Sequence, residues 1–125
     1  YYGGPWYGES PEDLIDCFER IRNEYSDKPI LVTEYGAPGF EDPYNPLYLQ
    51  TIKDHWLIIS DATRDYVVGG LLWVFNHYQG TWDEKKTGIV DGEEIGIVDG
   101  YRNPLPAYYL MKELYSAELP TSGKR

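Results

Sequence analysis

A single cysteine, Cys17, stands in a chain of 125 residues, which excludes an intramolecular disulfide and any zinc cluster built from thiolates. It lies beside Phe18 in a helical pattern and reads as a small buried hydrophobe rather than a nucleophile. Histidine is nearly as scarce, with only His55 and His77, far apart in sequence. No apolar run approaches the ~20 residues of a membrane-spanning helix. Lys and Arg number 11 against 21 Asp and Glu, for a net charge of −10. Without a basic stripe, neither nucleic acid nor an anionic membrane is an expected partner. No signal-peptide pattern opens the chain, and Tyr1-Tyr2-Gly3-Gly4 reads as the interior of a fold. The length allows one domain at most, with enough chain to bury a core.

What the chain has in excess is aromatic: 13 Tyr and 4 Trp, 16% aromatic with Phe included. Such rings stack on the apolar faces of sugars in carbohydrate clefts, and they also populate protein interfaces. Composition leaves both uses open.

Patterning gives the order helix, strand, helix, strand, helix. Ser10-Pro11-Glu12-Asp13 is a helix start, with a Ser cap, Pro in the first turn and acids beside it. Leu14, Ile15, Phe18, Ile21 and Tyr25 follow at helical spacing. Pro29 then introduces Ile30-Leu31-Val32-Thr33, a short β-branched run with the pattern of a strand buried on both faces. A loop from Ala37 to Pro46 carries three of the nine prolines. A second helix is expected from Leu47 to about Thr63, with Leu49, Ile52, His55, Trp56 and Ile59 on one face. Tyr66 to Phe75 is the most apolar stretch and reads as a second buried strand. Gly88-Ile-Val-Asp-Gly92 recurs as Gly96-Ile-Val-Asp-Gly100, two short strand pieces with Asp-Gly turns. Asp91, Glu93 and Asp99 lack the spacing of a calcium loop, so turn chemistry is expected there and neither metal nor cofactor is implied. A last helix covers Pro104 to about Ser116, and residues 117–125 are a polar tail. Alternation of this kind means crossover units and a parallel sheet. The two strands should be adjacent and parallel, with the second helix packed outside them.

Glu34 ends the first strand. A carboxylate at the carboxyl end of a buried parallel strand is where a (β/α) barrel places its chemistry. It is equally the place for an acid that merely caps a strand and faces water, and the local pattern does not choose.

Lys28-Pro-Ile-Leu-Val-Thr-Glu-Tyr-Gly-Ala37, then Tyr48-Leu-Gln50, Val68-Gly-Gly-Leu-Leu-Trp-Val-Phe75, Gly96-Ile-Val with Arg102, and Pro106-Ala-Tyr-Tyr109 resemble the end of the catalytic domain of glycoside hydrolase family 2. That family holds the β-galactosidases, β-glucuronidases and β-mannosidases. Tyr1-Tyr2-Gly3 with Trp6-Tyr7 is similar to the family's Tyr-Tyr-Gly-Trp-Tyr, with an insertion at Gly4-Pro5. The resemblance spans nearly the whole chain in order, and its most specific part is Thr-Glu-Tyr-Gly-Ala. It implies an α/β fold, the C-terminal portion (about strands 6–8) of a (β/α)8 barrel, in a single partial domain over residues 1–125. It implies retaining hydrolysis of β-glycosides, with Glu34 as nucleophile. Tyr1 or Tyr2 would hydrogen-bond that nucleophile, and Trp73 would floor the sugar subsite. Asn76, His77 and Trp82 are weaker candidates for the cleft mouth, as is Tyr78.

Two departures from the family pattern matter. The second carboxylate, which follows an Asn at a strand end, is missing; Asn23-Glu24 falls in the first helix. The remainder of the barrel is therefore the expected partner, beside a carbohydrate substrate, and the isolated chain is expected to be inactive. Near Glu93-Glu94 the β-glucuronidases carry an Asn-x-Lys that reads a substrate carboxylate. An acid pair there would repel a uronate, which favours a neutral sugar such as galactose. The alternatives are a non-catalytic carbohydrate-binding module and a structural or designed half-barrel lacking the acid/base.

Overall fold

A computed structural model of the chain describes residues 8–25, 27–37, 42–76, 78–79, 93–94 and 96–117. Three helices pack against one face of a two-stranded parallel sheet. In chain order the elements are α1 (Glu12–Glu24), β1 (Ile30–Tyr35), α2 (Pro46–Ile59), β2 (Val67–Leu72), β3 (Tyr78–Gln79), β4 (Glu93–Glu94) and α3 (Pro106–Ser116). β1 and β2 are adjacent and parallel, and β3 pairs antiparallel with β4. The strand–helix–strand order thus produced the expected crossover.

The helix ends follow local chemistry. Pro11 occupies the cap position of α1 in an already helical conformation. The Ser10 backbone N–H donates to the Asp13 carboxylate at 2.6 Å, and the Asp13 N–H donates back to the Ser10 carbonyl at 3.1 Å. The acid of the first turn, rather than the Ser10 hydroxyl, therefore supplies the side-chain part of the cap. Asn45 caps α2 by accepting from the Leu47 N–H at 2.9 Å, with Pro46 in the first turn. That helix stops at Ile59, four residues before the sequence expectation. Asp61 offers the backbone a competing set of bonds: its carboxylate accepts from the Thr63 N–H and hydroxyl and pairs with Arg64 at 2.5 Å. α3 begins at Pro106 rather than Pro104. Val98 bridges Pro104, and the Leu105 N–H donates to the Ile97 carbonyl at 3.0 Å, which holds residues 104–105 extended.

The core lies between the sheet and the helices. It is built from Leu14 and Phe18 of α1, Val32 and Tyr35 of β1, Tyr48, Ile52 and Ile59 of α2, Val67 of β2, and Ala107 and Met111 of α3. Beside it, the Tyr66 hydroxyl donates to Glu19 at 2.5 Å, and Arg22 lies over the Tyr66 ring at 5.2 Å, which ties α1 to the start of β2.

Two expectations about the strands need correction. Neither strand is buried on both faces: Leu31, Val68 and Leu71 are 52%, 59% and 58% exposed. A lone strand pair has helices on one side only, so its second apolar face stays open. β2 also ends at Leu72, not Phe75. Beyond it the Val74 and Phe75 carbonyls accept from the Ile97 and Val98 N–H groups, both at 3.0 Å, so residues 97–98 rather than β1 pair with this segment. The first Gly-Ile-Val-Asp-Gly copy and residues 118–125 of the tail lie outside the described residues. The second copy is a bridge followed by a turn, as its Asp-Gly suggested. The Asp99 carboxylate accepts from the Tyr101 and Asn103 N–H groups and from the Asn103 side-chain amide.

Ile52→Ala should cost about 2–5 kcal/mol, as for other fully buried aliphatics, and Asn45→Ala about 1 kcal/mol through the lost cap. Urea unfolding followed by circular dichroism reads both. Burial pushes the Tyr48 hydroxyl from 10.0 up to about 12. Burial, followed by the hydrogen bond to the Tyr115 hydroxyl, raises that of Tyr35 further. A group whose folded pKa is raised contributes stability that is complete below its unfolded pKa and is lost as pH climbs through the folded one. The melting temperature should therefore hold up to about pH 10 and fall above it, and Tyr48→Phe should flatten that alkaline fall.

Candidate active site

The site sits at the carboxyl end of β1 and β2, where the two strands lose register with each other. Ile30 and Leu31 stand opposite Val67 and Gly69, so β2 has one extra residue there. Gly69 absorbs it with φ at 148°, a conformation that side chains beyond glycine rarely adopt. Val32 and Tyr35 then stand opposite Gly70 and Leu72, so β1 takes its own extra residue between Val32 and Tyr35. Irregularities of this kind re-aim side chains. The consequence is that Thr33 and Glu34 are both exposed in succession, while Tyr35 turns fully inward.

Trp73 follows β2 directly. Its N–H donates to the Tyr35 carbonyl at 2.8 Å, and its side chain is 37% exposed rather than part of the core. The Trp73–Val74 peptide is cis. Glu34 and Trp73 are thus carried side by side on neighbouring strand ends, joined through the main chain of Tyr35. Asn76 lies three residues further on, bridged in parallel to Val98. Tyr1, Tyr2, His77 and Trp82 lie outside the described residues. Tyr78 is in β3, whose backbone pairs Tyr78 with Glu94 and Gln79 with Glu93. That register brings the acid pair of β4 alongside the segment that leaves Trp73 and Asn76.

β1 and β2 between them carry one carboxylate, Glu34. Chemically the arrangement offers an accessible carboxylate and an accessible indole on adjacent strand ends, which suits a ligand with an electrophilic carbon and an apolar face. A pocket of about 460 Å³ lies elsewhere, on the helix side of the sheet, lined by Trp56, Gly70, Leu72, Phe75, Leu114 and Tyr115. Neither Glu34 nor Trp73 lines it. Sequence reasoning passed over Tyr35 and Gly70, which hold the strand ends in place. The Gly69-Gly70 pair inside an apolar strand was the available signal, since glycine in a strand interior marks a bulge or a close approach.

No protein-family model matches the sequence, and neither does any curated protein. Solved structures do match. A β-galacturonidase of glycoside hydrolase family 2 from Eisenbergiella tayi, bound to galacturonate, superposes with a TM-score of 0.69 at 25% identity, over 88% of this chain and 21% of its own. A β-glucuronidase from Ruminococcus gnavus in complex with uronic deoxynojirimycin gives 0.70 at 21% identity, over 91% and 20%. The Faecalibacterium prausnitzii β-glucuronidase gives 0.65 at 17% identity, over 95% and 21%. The present chain spans about one fifth of the length of these enzymes. Its fold is that of one portion of them.

The open sheet face should make the isolated chain bind a hydrophobic dye such as anilinonaphthalene sulfonate and self-associate. Leu31→Lys with Leu71→Lys should lower both, read by fluorescence and by light scattering behind a sizing column. A monodisperse, cooperatively folding parental monomer would contradict this.

Proposed function

We propose that this chain is the nucleophile-bearing portion of a (β/α)8 barrel in a retaining β-glycosidase of glycoside hydrolase family 2, with residues 1–125 forming a single partial domain. The observation that carries this is the pairing of an exposed Glu34 with an exposed Trp73 through the hydrogen bond from the Trp73 N–H to the Tyr35 carbonyl, in a fold like that of family 2 enzymes.

Retention needs two carboxyl groups about 5–5.5 Å apart. Glu34, ionised, attacks the anomeric carbon while an acid from the remainder of the barrel protonates the departing oxygen. The glycosyl–Glu34 ester is then hydrolysed by water, with the second group acting as base. Trp73 offers a flat apolar surface to the sugar and keeps water from the reacting face. Tyr1 or Tyr2 hydrogen-bonds the Glu34 nucleophile and helps to hold it in place. Asn76, His77 and Trp82 line the mouth. With no second acid on β1 or β2, the isolated chain does not turn over ordinary glycosides.

The substrate is a neutral sugar such as a β-galactoside. The acid pair Glu93-Glu94 stands where, by the resemblance, β-glucuronidases carry the Asn-x-Lys that reads a substrate carboxylate, so a uronate would meet like charge. Both the galacturonidase and the glucuronidases above are named for uronic sugars, so the proposed substrate differs from theirs.

In the complete barrel, Glu34→Ala should lower turnover of an aryl β-galactoside by at least about a thousandfold, and a 2-deoxy-2-fluoro galactoside should label the peptide containing Glu34. The matching aryl β-glucuronide should be a poorer substrate. Near-parental turnover by Glu34→Ala would instead make Glu34 a strand cap, and the chain a carbohydrate-binding or structural half-barrel.

A further inference from the structure

We propose that Tyr35 is the positioning residue of this site: its buried ring sets the height of Glu34 and Trp73 relative to each other. This rests on the glycosidase function proposed above, and it adds a residue that touches neither sugar nor reacting atoms.

Four restraints converge on Tyr35. Its side chain is 0% exposed. Its ring lies over Gly70, where an added Cβ would come within 3.1 Å and 3.2 Å of two ring carbons and 3.0 Å of Ile59 Cδ1. Trp56 stacks on the ring with centroids 6.2 Å apart and planes 24° apart, and His55 meets it edge-on at 6.5 Å. The Tyr35 and Tyr115 hydroxyls hydrogen-bond at 3.1 Å, and Tyr115 is itself 4.5 Å from the Trp56 ring. Strand β2, helix α2 and helix α3 therefore all bear on one ring, across a slot that a single methyl group on Gly70 would narrow.

The main chain carries that constraint to the site in two directions. Glu34 and Tyr35 share a peptide plane, and successive strand side chains point to opposite faces. Fixing Tyr35 inward fixes Glu34 outward. The Tyr35 carbonyl also accepts the Trp73 N–H at 2.8 Å, so a movement of the Tyr35 backbone displaces Trp73 as well. The extra residue of β1 between Val32 and Tyr35 makes the coupling necessary. Regular pairing is interrupted across Thr33 and Glu34, and Tyr35 is where β1 regains β2, opposite Leu72. Reacting groups tolerate little misplacement, with about 1 Å costing on the order of a hundredfold in rate.

The test uses the complete barrel and an aryl β-glycoside, with Gly70→Ala as the central variant because it adds one carbon behind the ring and alters neither Glu34 nor Trp73. Gly70→Ala and Tyr35→Leu should each lower kcat about 10- to 100-fold with KM within about threefold. Labelling by a 2-deoxy-2-fluoro glycoside should slow in proportion, with cooperative melting retained. Tyr35→Phe, which keeps the ring, should stay within about threefold of the parent. Combining Gly70→Ala with Tyr35→Leu should lose less than the product of the two single losses, because the smaller side chain makes room for the added methyl. Should Gly70→Ala not fold, Trp56→Phe, which thins the stacking partner, should show the same fall in kcat at unchanged KM. Parental kcat in the folded Gly70→Ala variant, or in Trp56→Phe in its place, overturns the positioning role. If Glu34→Ala is inactive in the same series, only that role has failed; if Glu34→Ala turns over normally, the glycosidase function has failed and the positioning role with it.

Discussion

The ring of Tyr35 against the backbone of Gly70 is the contact on which the rest depends. It lets β1 and β2 approach the helices closely enough for Ile59, Trp56 and Tyr115 to close around one aromatic group. A tyrosine is an unusual choice for so buried a place, because its hydroxyl must find a partner there. Tyr115 supplies it from the last helix. The end of the chain is thereby bound to the strand that carries Glu34. Both strands bend at irregularities on either side of this contact, and the glycines that allow it, Gly69 and Gly70, are adjacent in β2.

One half of the sheet's environment is complete and the other is open. Parallel strands are ordinarily covered on both faces, and here the helices cover one while Leu31, Val68 and Leu71 face outward. Those side chains are too apolar for a solvent face and too regularly placed for accident. A full (β/α)8 barrel takes about 250 residues, and this chain covers about one fifth of the length of the similar enzymes. On the function proposed above, that open face would be the wall of a barrel interior completed by strands from outside these residues. The single carboxylate of β1 and β2 fits the same proposal, in which one sector of a barrel carries one part of a site assembled from several strand ends.

The parallel pair, the three helices and the position of Glu34 at a strand end were legible because they rest on periodicity and on strong local signals: Pro11, Pro29 and the acid that stops an apolar run. Helix and strand ends were less legible. α2 stops at Ile59 because Asp61 diverts the backbone, and the four residues after it would extend a helix equally well by pattern alone. α3 waits until Pro106 because Val98 holds Pro104, a contact between residues that no local window joins. The open face of the sheet could not be read from composition, since a run such as Ile-Leu-Val is the same whether its second face is covered or waiting to be. Glu34 was singled out by its place at a strand end and given its role by resemblance, and Trp73 was singled out by resemblance. Tyr35 was missed because a tyrosine after a catalytic candidate looks like another surface aromatic until the burial is seen.

On the positioning role proposed for Tyr35, a division of labour between neighbouring residues would keep the candidate site rigid at a point where pairing fails. Glu34 sits within the irregular step of β1, where the ladder gives it least support. A carboxylate held only there would sample a range of positions. Tyr35, one residue later, has the most restrained side chain in the strand, and it is the first to regain the partner strand. The freedom needed to turn Glu34 outward and the stiffness needed to hold it there are thus placed on successive residues. The same carbonyl that ends the irregular step receives Trp73, so the strand that loses register at Glu34 is stitched to the one bearing the indole at the next peptide.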